Sequence, residues 1–304
     1  MQTDFRPPRN RHLLVTGASG YVGERLVRRF ADRGWSTAGT YLTNPITLDH
    51  ADTVPVDLTD REAAFRLIRD VRPWAVVHAA AMTNVAECER QPEEAHAAIL
   101  GTTENLRAAI EHQTPGTPLL LFSTDQVFDG ESAPYAEDAD PKPRNRYGSL
   151  KCAAEQITLG IREGTVLRSA LVYGPPGRYR ASFLGWMYDA LTKGTELNLF
   201  LDEWRTPVFV DDLTAAVHTL LVKGARGVFH AGGPERLSRV EIGHAFCRVF
   251  ALPGDTIRSV KRSAVPGPVP RLADVSLSCG ALRSLGWRPT NFMDGLAKCR
   301  EQWR

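Results

Sequence analysis

Tyr147 and Lys151 are the residues of this chain whose types and spacing most directly suggest chemistry. They lie four positions apart in the run Tyr-Gly-Ser-Leu-Lys, so an α-helix would place both side chains on one face. A free phenol has a pKa of about 10, and a nearby ammonium favours its ionised form. The pair therefore predicts a proton donor or acceptor near neutral pH.

A hydroxyl group is expected beside this pair. The apolar run 117–122 predicts a strand that ends at Ser123, Thr124 and Asp125, and a Pro-rich, acidic loop separates it from the helix of Tyr147. Ligands of parallel α/β sheets bind beyond the carboxyl ends of the strands. Hydroxyl, phenol and ammonium are therefore predicted to meet there.

A glycine-rich turn near the N-terminus separates a predicted strand at 12–15 from a predicted helix. The first glycine permits a tight turn, the second lets backbone N–H groups approach a pyrophosphate, and the third lets the helix pack close to the strand. This order of elements predicts a dinucleotide site. The expected contacts are Gly17, Ser19, Gly20, Tyr21, Val22 and Gly23.

The predicted second strand, residues 36–42, bears on which nicotinamide nucleotide binds. NAD sites usually place an acidic residue about 20 residues beyond the glycines, whereas NADP sites leave room for a 2′-phosphate. No acidic residue follows this strand until Asp49. The sequence therefore favours NADPH, with NAD as the weaker alternative and Thr40 as an expected contact.

Two further segments are expected to line the cofactor. Asp57 follows a predicted strand and either accepts a hydrogen bond from the adenine amino group or serves as a turn residue. Small residues follow the predicted strand at 74–78, and they suit a backbone that lies against a flat cofactor. The residues expected to line the cofactor here are Asp57, Leu58, Ala79, Ala80, Ala81 and Thr83.

Strands and helices alternate through the first half of the chain. Helices are predicted at 60–69, with Asp60 as N-cap, and at 92–112, between strands that include 117–122 and 165–167. This alternation predicts an α/β fold with a Rossmann-type, doubly wound parallel sheet.

Glycine and proline become more frequent beyond residue 173, and strands alternate less regularly. We therefore predict an NAD(P)-binding domain at 11–173 to which 206–231 returns. A smaller C-terminal substrate-binding lobe is expected from 174–205 and 232–304.

Composition excludes several classes of function. The net charge of +2 with mixed signs argues against a nucleic-acid surface. The five cysteines contain no C-x-x-C pair and the eight histidines form no cluster, so we expect reduced thiols, a cytoplasmic protein and no metal. Residues 1–10 are expected to be a flexible tail, and no apolar run reaches the length of a membrane span.

Seven motifs in order resemble the extended short-chain dehydrogenase/reductase superfamily and, within it, the dTDP-4-dehydrorhamnose reductase family. They are TGASGYVG (16–23), HAAAMTNVAECE (78–89), STDQVFDG (123–130), YGSLK (147–151), LRSALVYGP (167–175), RTPVFVDDLTAAV (205–217) and RLADVSLSCGAL (271–282).

The resemblance implies reduction of a nucleotide-linked 4-keto-6-deoxysugar by NADPH, with the nicotinamide against residues 78–83. Tyr147 would donate the proton, Lys151 would hold the ribose hydroxyls and lower the phenol pKa, and Thr124 would bond the developing alkoxide. The expected substrate contacts are Asp125, Gln126, Val127, Phe128, Arg205 and Arg271. For the two arginines, expected at a nucleotide diphosphate, a surface ion pair is the alternative.

The chain also departs from this family. Ala170 and Leu171 replace an aromatic stretch, Ala98 stands where a helix asparagine is frequent, and Gln126 interrupts the acid pair of the related dehydratases. An amide cannot donate and take up a proton as a carboxyl can, so dehydration is disfavoured. Two alternatives stay open: an NAD-dependent nucleotide-sugar epimerase, or a non-catalytic NADP-binding regulatory subunit like that of methionine adenosyltransferase. A homodimer is left open, and neither nucleic acid nor membrane is an expected partner.

Overall fold

The computed structural model describes residues 12–179, 182–265, 267 and 269–303. The tail predicted at 1–10 lies outside the described residues.

A seven-stranded sheet forms the centre of the fold. The strands of the described chain are β1 (His12–Thr16), β2 (Ser36–Tyr41), β3 (Asp52–Pro55), β4 (Ala75–His78), β5 (Leu119–Thr124), β6 (Gly164–Ser169), β7 (Val172–Tyr173), β8 (Leu197–Phe200), β9 (Trp204–Arg205), β10 (Val208–Phe209), β11 (Gly227–Ala231), β12 (Leu237–Ser238) and β13 (Ile257–Val260). The central sheet has the order β3-β2-β1-β4-β5-β6-β11, and every neighbouring pair in it is parallel. The prediction of a Rossmann-type parallel sheet is confirmed.

Helices follow most of the sheet strands. They are α1 (Tyr21–Ala31), α2 (Arg61–Val71), α3 (Val85–Arg90), α4 (Pro92–His96), α5 (Thr102–Gln113), α6 (Arg146–Leu159), α7 (Phe183–Thr192), α8 (Val210–Lys223), α9 (Arg239–Phe250), α10 (Gly280–Ser284) and α11 (Phe292–Gln302). Asp60 caps α2 as predicted, because its carboxylate accepts hydrogen bonds from the N–H groups of Glu62 and Ala63. The helix predicted at 92–112 is observed as α4 and α5 joined by a π-helical turn, Ala97–Gly101.

The residues after β6 form short two-stranded sheets: β7 with β10, β9 with β12, and β8 with β13. Side chains of α7, α9 and α11 pack together here around Met187, Phe246 and Leu296. Strand β11 does not belong to these short sheets, because it pairs with β6 at the edge of the main sheet. The division into a cofactor domain and a substrate lobe stays a prediction.

Within the part of the chain described by the structure, no helix is both long and apolar enough to cross a membrane.

Candidate active site

Helix α6 presents Tyr147 and Lys151 to the carboxyl end of β5. Asn145 caps the helix, since its side-chain oxygen accepts a hydrogen bond from the Gly148 N–H at 2.8 Å. The Lys151 ammonium donates to the Phe122 carbonyl at 2.9 Å. The Thr124 hydroxyl donates to Asp125 Oδ1 at 3.2 Å and lies close enough to the Tyr147 phenol to affect its pKa. The structure therefore brings the phenol, ammonium and hydroxyl of the sequence prediction to one place.

Burial decides the protonation of Tyr147. It raises the pKa of the phenol well above its ordinary value, and the negative charge of Asp125 raises it further, while the nearby Thr124 hydroxyl opposes both. The sequence predicted a phenol pKa lowered by Lys151, and this prediction is wrong for the structure as described. The reason is that desolvation outweighs the other effects, and that Lys151 directs its ammonium to a backbone carbonyl.

The same burial acts on Lys151 in the opposite sense. Removing the ammonium from water lowers the pKa of Lys151 to about 8, although the nearby carboxylate of Glu155 raises it. Lys151 therefore carries its charge at neutral pH and begins to lose it under mildly alkaline conditions.

The glycine turn packs tightly against the end of β4. Gly17 has a φ of +71°, and a Cβ added there would lie 2.7 Å from the Cα of Ala80. A Cβ at Gly23 would lie 2.2 Å from the Gly17 carbonyl oxygen. A side chain at either position is therefore excluded, which agrees with the predicted close approach of helix and strand.

The first turn of α1 has no side-chain cap, unlike α2 and α6. Its N–H groups are thus available to an anion, as a pyrophosphate site requires. Ser19 is partly exposed in the loop before it. Tyr21 donates its hydroxyl to the Pro175 carbonyl at 2.9 Å, and Val22 packs against the main core.

Thr40 and Asp57 have roles inside the protein. The buried Thr40 hydroxyl accepts a hydrogen bond from the Gly17 N–H at 3.3 Å, so it supports the glycine turn. Asp57 accepts hydrogen bonds from Thr59 N at 2.9 Å and from Thr59 Oγ1 at 2.6 Å. Both bonds use one carboxylate oxygen, Oδ1, and fit the role of a turn residue, while the contact of Asp57 with the adenine stays a prediction. Leu58 is buried beside it.

The segment after β4 joins the glycine turn to the site. Ala80 donates its N–H to the Thr16 hydroxyl at 3.2 Å, and that hydroxyl also meets the buried His78 ring at 2.8 Å. Ala79 and Ala81 are partly buried on either side, whereas Thr83 is exposed.

The four substrate contacts expected after Thr124 separate into two pairs. Asp125 and Gln126 lie in a 3₁₀ turn at the site, where the Gln126 side chain accepts from Asn145 Nδ2 at 3.2 Å. Val127 and Phe128 have fully buried side chains, and Phe128 stacks on Tyr135 with 4.1 Å between ring centroids. These two side chains belong to the core, which corrects their expected contact with the substrate.

Arg205 and Arg271 converge on one buried carboxylate, Glu203. Arg205 Nη2 lies 3.1 Å from Glu203 Oε1, and Arg271 Nη1 lies 3.7 Å from Oε2. Arg239 joins them at 2.8 Å from Oε1. Burial would raise the pKa of Glu203, but Arg239 and Arg205 hold it below its ordinary value. Arg205 also approaches Asp125 at 4.0 Å, so this arginine cluster adjoins the Tyr147 site.

A family model described as the RmlD substrate binding domain matches residues 11–304. The chain belongs to this family. The resemblance inferred from the seven motifs is confirmed.

Three relatives illustrate the range of proteins that the chain is similar to. The β subunit of methionine adenosyltransferase 2 from Mus musculus is 31% identical over 285 residues, which cover 91% of this chain and 83% of the relative. A Haloferax volcanii protein named "Probable low-salt glycan biosynthesis reductase Agl14" is 30% identical over 264 residues, covering 86% and 87%. The crystal structure of a hypothetical dTDP-4-dehydrorhamnose reductase from Sulfolobus tokodaii superposes with a TM-score of 0.82 at 28% identity, over 93% and 98% of the two chains.

Sequence reasoning missed three charged residues next to the site of this RmlD-family chain. Glu203 and Arg239 complete the arginine cluster, and Glu155 lies one helical turn beyond Lys151. The spacing of Glu155 was a usable signal, because residues 147, 151 and 155 share a helix face. Nothing local in the sequence marks Glu203 or Arg239, because these two partners lie 36 residues apart in the chain. Among the described residues, no group of His, Cys, Asp or Glu is arranged to hold a metal ion.

Proposed function

We propose that this protein is an NADPH-dependent reductase of a nucleotide-linked 4-keto-6-deoxysugar. The observation that carries the proposal is the placement of the Thr124 hydroxyl close to the Tyr147 phenol, one helical turn from the buried ammonium of Lys151. Membership of the RmlD family and similarity to a protein named as a reductase support it.

The residues around the glycine turn fit a dinucleotide. Gly17 and Gly23 leave no room for a side chain, and the uncapped N–H groups of α1 point out of the helix beside them. The bound nicotinamide would supply the hydride. Residues 79–81 would lie against it, and Lys151 would hold the ribose hydroxyls. No acidic residue lies between the end of β2 and Asp49, which supports NADPH over NAD.

The protein residues would supply the proton and the electrostatic stabilisation of the reacting oxygen. Tyr147 is protonated at neutral pH because burial raises its pKa, so it can donate to the oxygen of the keto group. Thr124 can donate a second hydrogen bond to the same oxygen as negative charge develops there.

The arginine cluster offers a site for the nucleotide part of the substrate. Arg205, Arg239 and Arg271 face Glu203, and Arg205 also approaches Asp125, so three guanidinium groups meet two carboxyl groups and positive charge is in excess. Guanidinium groups bind phosphate oxygens in pairs. We assign the substrate diphosphate to this excess charge. The five free cysteines support the proposed cytoplasmic location.

The test is incubation of the protein with NADPH and dTDP-4-keto-6-deoxysugars while the absorbance of the reduced nicotinamide is followed. Consumption that requires the sugar and disappears in Tyr147→Phe is the expected result. Tight NADPH binding without turnover on any keto sugar would contradict a reductase.

A non-catalytic regulatory role is the second candidate, and the observation that favours it is the similarity to the methionine adenosyltransferase β subunit over 91% of the chain. This role requires a complex with a catalytic methionine adenosyltransferase subunit. Size-exclusion chromatography of the mixture, together with adenosyltransferase assays, distinguishes the two: co-elution and altered transferase kinetics without keto-sugar reduction would favour the regulatory role.

A further inference from the structure

Three residues of α6 contact three consecutive residues of β5. Tyr147, Lys151 and Glu155 are spaced four apart and share one helix face. Lys151 donates to the Phe122 carbonyl, Glu155 accepts from the Ser123 hydroxyl, and Tyr147 lies close to Thr124. The functional face of α6 thus meets three successive residues of the strand, and the contacts of Lys151 and Glu155 are hydrogen bonds.

Arg168 clamps Glu155 from the neighbouring strand. It lies beside Ser123 in the register of β5 and β6. Its Nε donates to Glu155 Oε1 at 3.0 Å and its Nη2 donates to Oε2 at 2.7 Å, a bidentate pair in which both side chains are fully buried. Such a pair restricts both position and rotation of the carboxylate. Glu155 therefore ties α6 to two strands at once.

The clamp extends to the C-terminal part of the chain. The Arg168 guanidinium lies 3.4 Å from the His230 ring on β11, and the other ring nitrogen of His230 lies 3.0 Å from the Ser278 carbonyl. Burial, reinforced by the charge of Arg168, lowers the pKa of His230 to about 4. The ring is neutral at physiological pH, so the charges of this network are those of Lys151, Glu155 and Arg168.

The groups that face Lys151 come from three elements. Glu155 lies on its own helix, Cys88 on α3 and His78 at the end of β4. Burial raises the pKa of the Cys88 thiol and lowers that of His78 to about 3, so both are uncharged at neutral pH. Among these described neighbours, Glu155 is the one that brings a negative charge to the ammonium.

We propose that Glu155, clamped by Arg168, is a positioning residue that holds Lys151 and Tyr147 against β5 and balances the charge of Lys151. The proposal rests on the proposed role of Lys151 in holding the cofactor ribose. Glu155 itself touches neither substrate nor cofactor in this assignment. Its effect on the reaction passes through the location and charge of Lys151.

The test is the pH dependence of NADPH binding, measured by fluorescence titration between pH 6 and 10. Affinity of the natural protein should fall as the pH rises through the Lys151 pKa of about 8, and Lys151→Met should abolish this alkaline limb. In Glu155→Gln the limb should move to lower pH by about one unit, because a neighbouring negative charge is removed. Glu111→Gln is the matched control, since it removes a carboxylate from an exposed pair with Arg107 and should leave the limb unchanged.

Glu155→Gln leaves Arg168 buried without a charged partner and can fail to fold. The double variant Glu155→Gln/Arg168→Met replaces the whole pair with uncharged groups of similar size. It should shift the limb in the same direction but less far, because the positive charge of Arg168 is lost as well. Glu155→Asp keeps the charge but shortens the reach to Arg168, so it should weaken binding without moving the limb. The proposal is overturned if either Gln variant folds and its alkaline limb lies where that of the natural protein does. It is also overturned if none of the three variants folds and the natural protein itself shows no alkaline limb.

Binding and turnover separate this inference from the proposed function. A shifted binding limb in a protein that reduces no keto sugar would contradict the reductase and leave the role of Glu155 standing. Reduction of keto sugars by a Glu155→Gln variant whose limb is unshifted would support the reductase and contradict the role proposed for Glu155.

Discussion

Tyr147 and Lys151 illustrate how burial acts on two groups of opposite charge type. Each is neutral on one side of its titration, and desolvation favours that neutral form in both. The phenol is held protonated and the ammonium is made easier to deprotonate. At neutral pH the pair is thus a proton donor beside a cation, which is the state that reduction of a ketone requires.

Replacing Tyr147 by Phe should reduce turnover by about 100- to 10,000-fold, because the proton donor is lost. NADPH affinity should change by no more than about twofold, since the ring and its packing are kept. Steady-state kinetics and fluorescence titration measure the two effects. Turnover equal to that of the natural protein would exclude Tyr147 as the donor.

Thr124→Val removes the hydroxyl that lowers the Tyr147 pKa and that is proposed to bond the substrate oxygen. We expect a loss of about 100-fold in kcat, typical of one oxyanion donor. Thr158→Val is the control: this buried hydroxyl on α6 donates to the Ala154 carbonyl at 2.9 Å, away from the site. It should affect thermal stability and leave kcat unchanged. Equal losses of kcat in both variants would point to a general effect of removing buried hydroxyls.

At the scale of elements, the start of α6 is tied to the end of β5 by Asn145. The same amide caps the helix through Gly148 N and donates to the Gln126 side chain at 3.2 Å. Gln126 in turn donates its backbone N–H to the Thr124 hydroxyl at 3.1 Å. The cap therefore sets the position of the helix relative to the end of β5, and it is also the point at which the helix begins.

Asn145→Ala should lower the free energy of unfolding by about 1 kcal/mol, as for other N-caps, and should also reduce kcat. Asn291→Ala removes the corresponding cap of α11, where the side chain accepts from the Asp294 N–H at 2.9 Å. It should cost a similar free energy and leave kcat intact. Urea unfolding and initial rates test this, and a loss of kcat in neither variant would show that the Asn145 link has no part in the site.

The glycine turn allows a second matched pair of variants. Gly17→Ala and Gly116→Ala both place a side chain at positive φ, +71° and +91° respectively, which costs about 1–2 kcal/mol. Only at Gly17 of these two does the added Cβ also collide with a neighbouring backbone. We expect Gly17→Ala to weaken NADPH binding by more than about tenfold and Gly116→Ala to leave binding unchanged. Comparable binding by both would place the dinucleotide elsewhere.

For the whole molecule, acid stability should reflect buried neutral histidines in the main sheet. Burial lowers the pKa of His78 to about 3 and that of His230 to about 4. In the unfolded chain these rings bind protons near pH 6.5. Between that pH and the lower pKa of each folded-state histidine, the unfolded chain therefore holds more protons than the folded chain. Stability contributed by the neutral rings is present above about pH 6.5 and is lost as the pH falls below it.

The slope of unfolding free energy against pH tests this. Between pH 6 and 5 each histidine should contribute about 1.4 kcal/mol per pH unit. His230→Gln should reduce the slope by that amount, whereas His244→Gln, which changes an exposed histidine on α9, should not. Urea titrations across this range provide the measurement, and identical slopes in all three proteins would mean that His230 is not held neutral.

The sequence by itself determined the features that depend on short-range pattern. Strand and helix alternation predicted the parallel sheet, the glycine spacing predicted a turn that excludes side chains, and Tyr147 and Lys151 were correctly placed on one helix face. These features depend on residues within one or two turns of each other, so local periodicity is enough to reveal them.

Only the tertiary structure decided which groups are buried and which charges face each other. Burial reversed the expected pKa shift of Tyr147 and moved Phe128 into the core. Glu155 meets Arg168 from the next strand, although only 13 residues separate them in sequence. Desolvation and ion pairing depend on everything that packs around a group, and packing is established by strands and helices from distant parts of the chain.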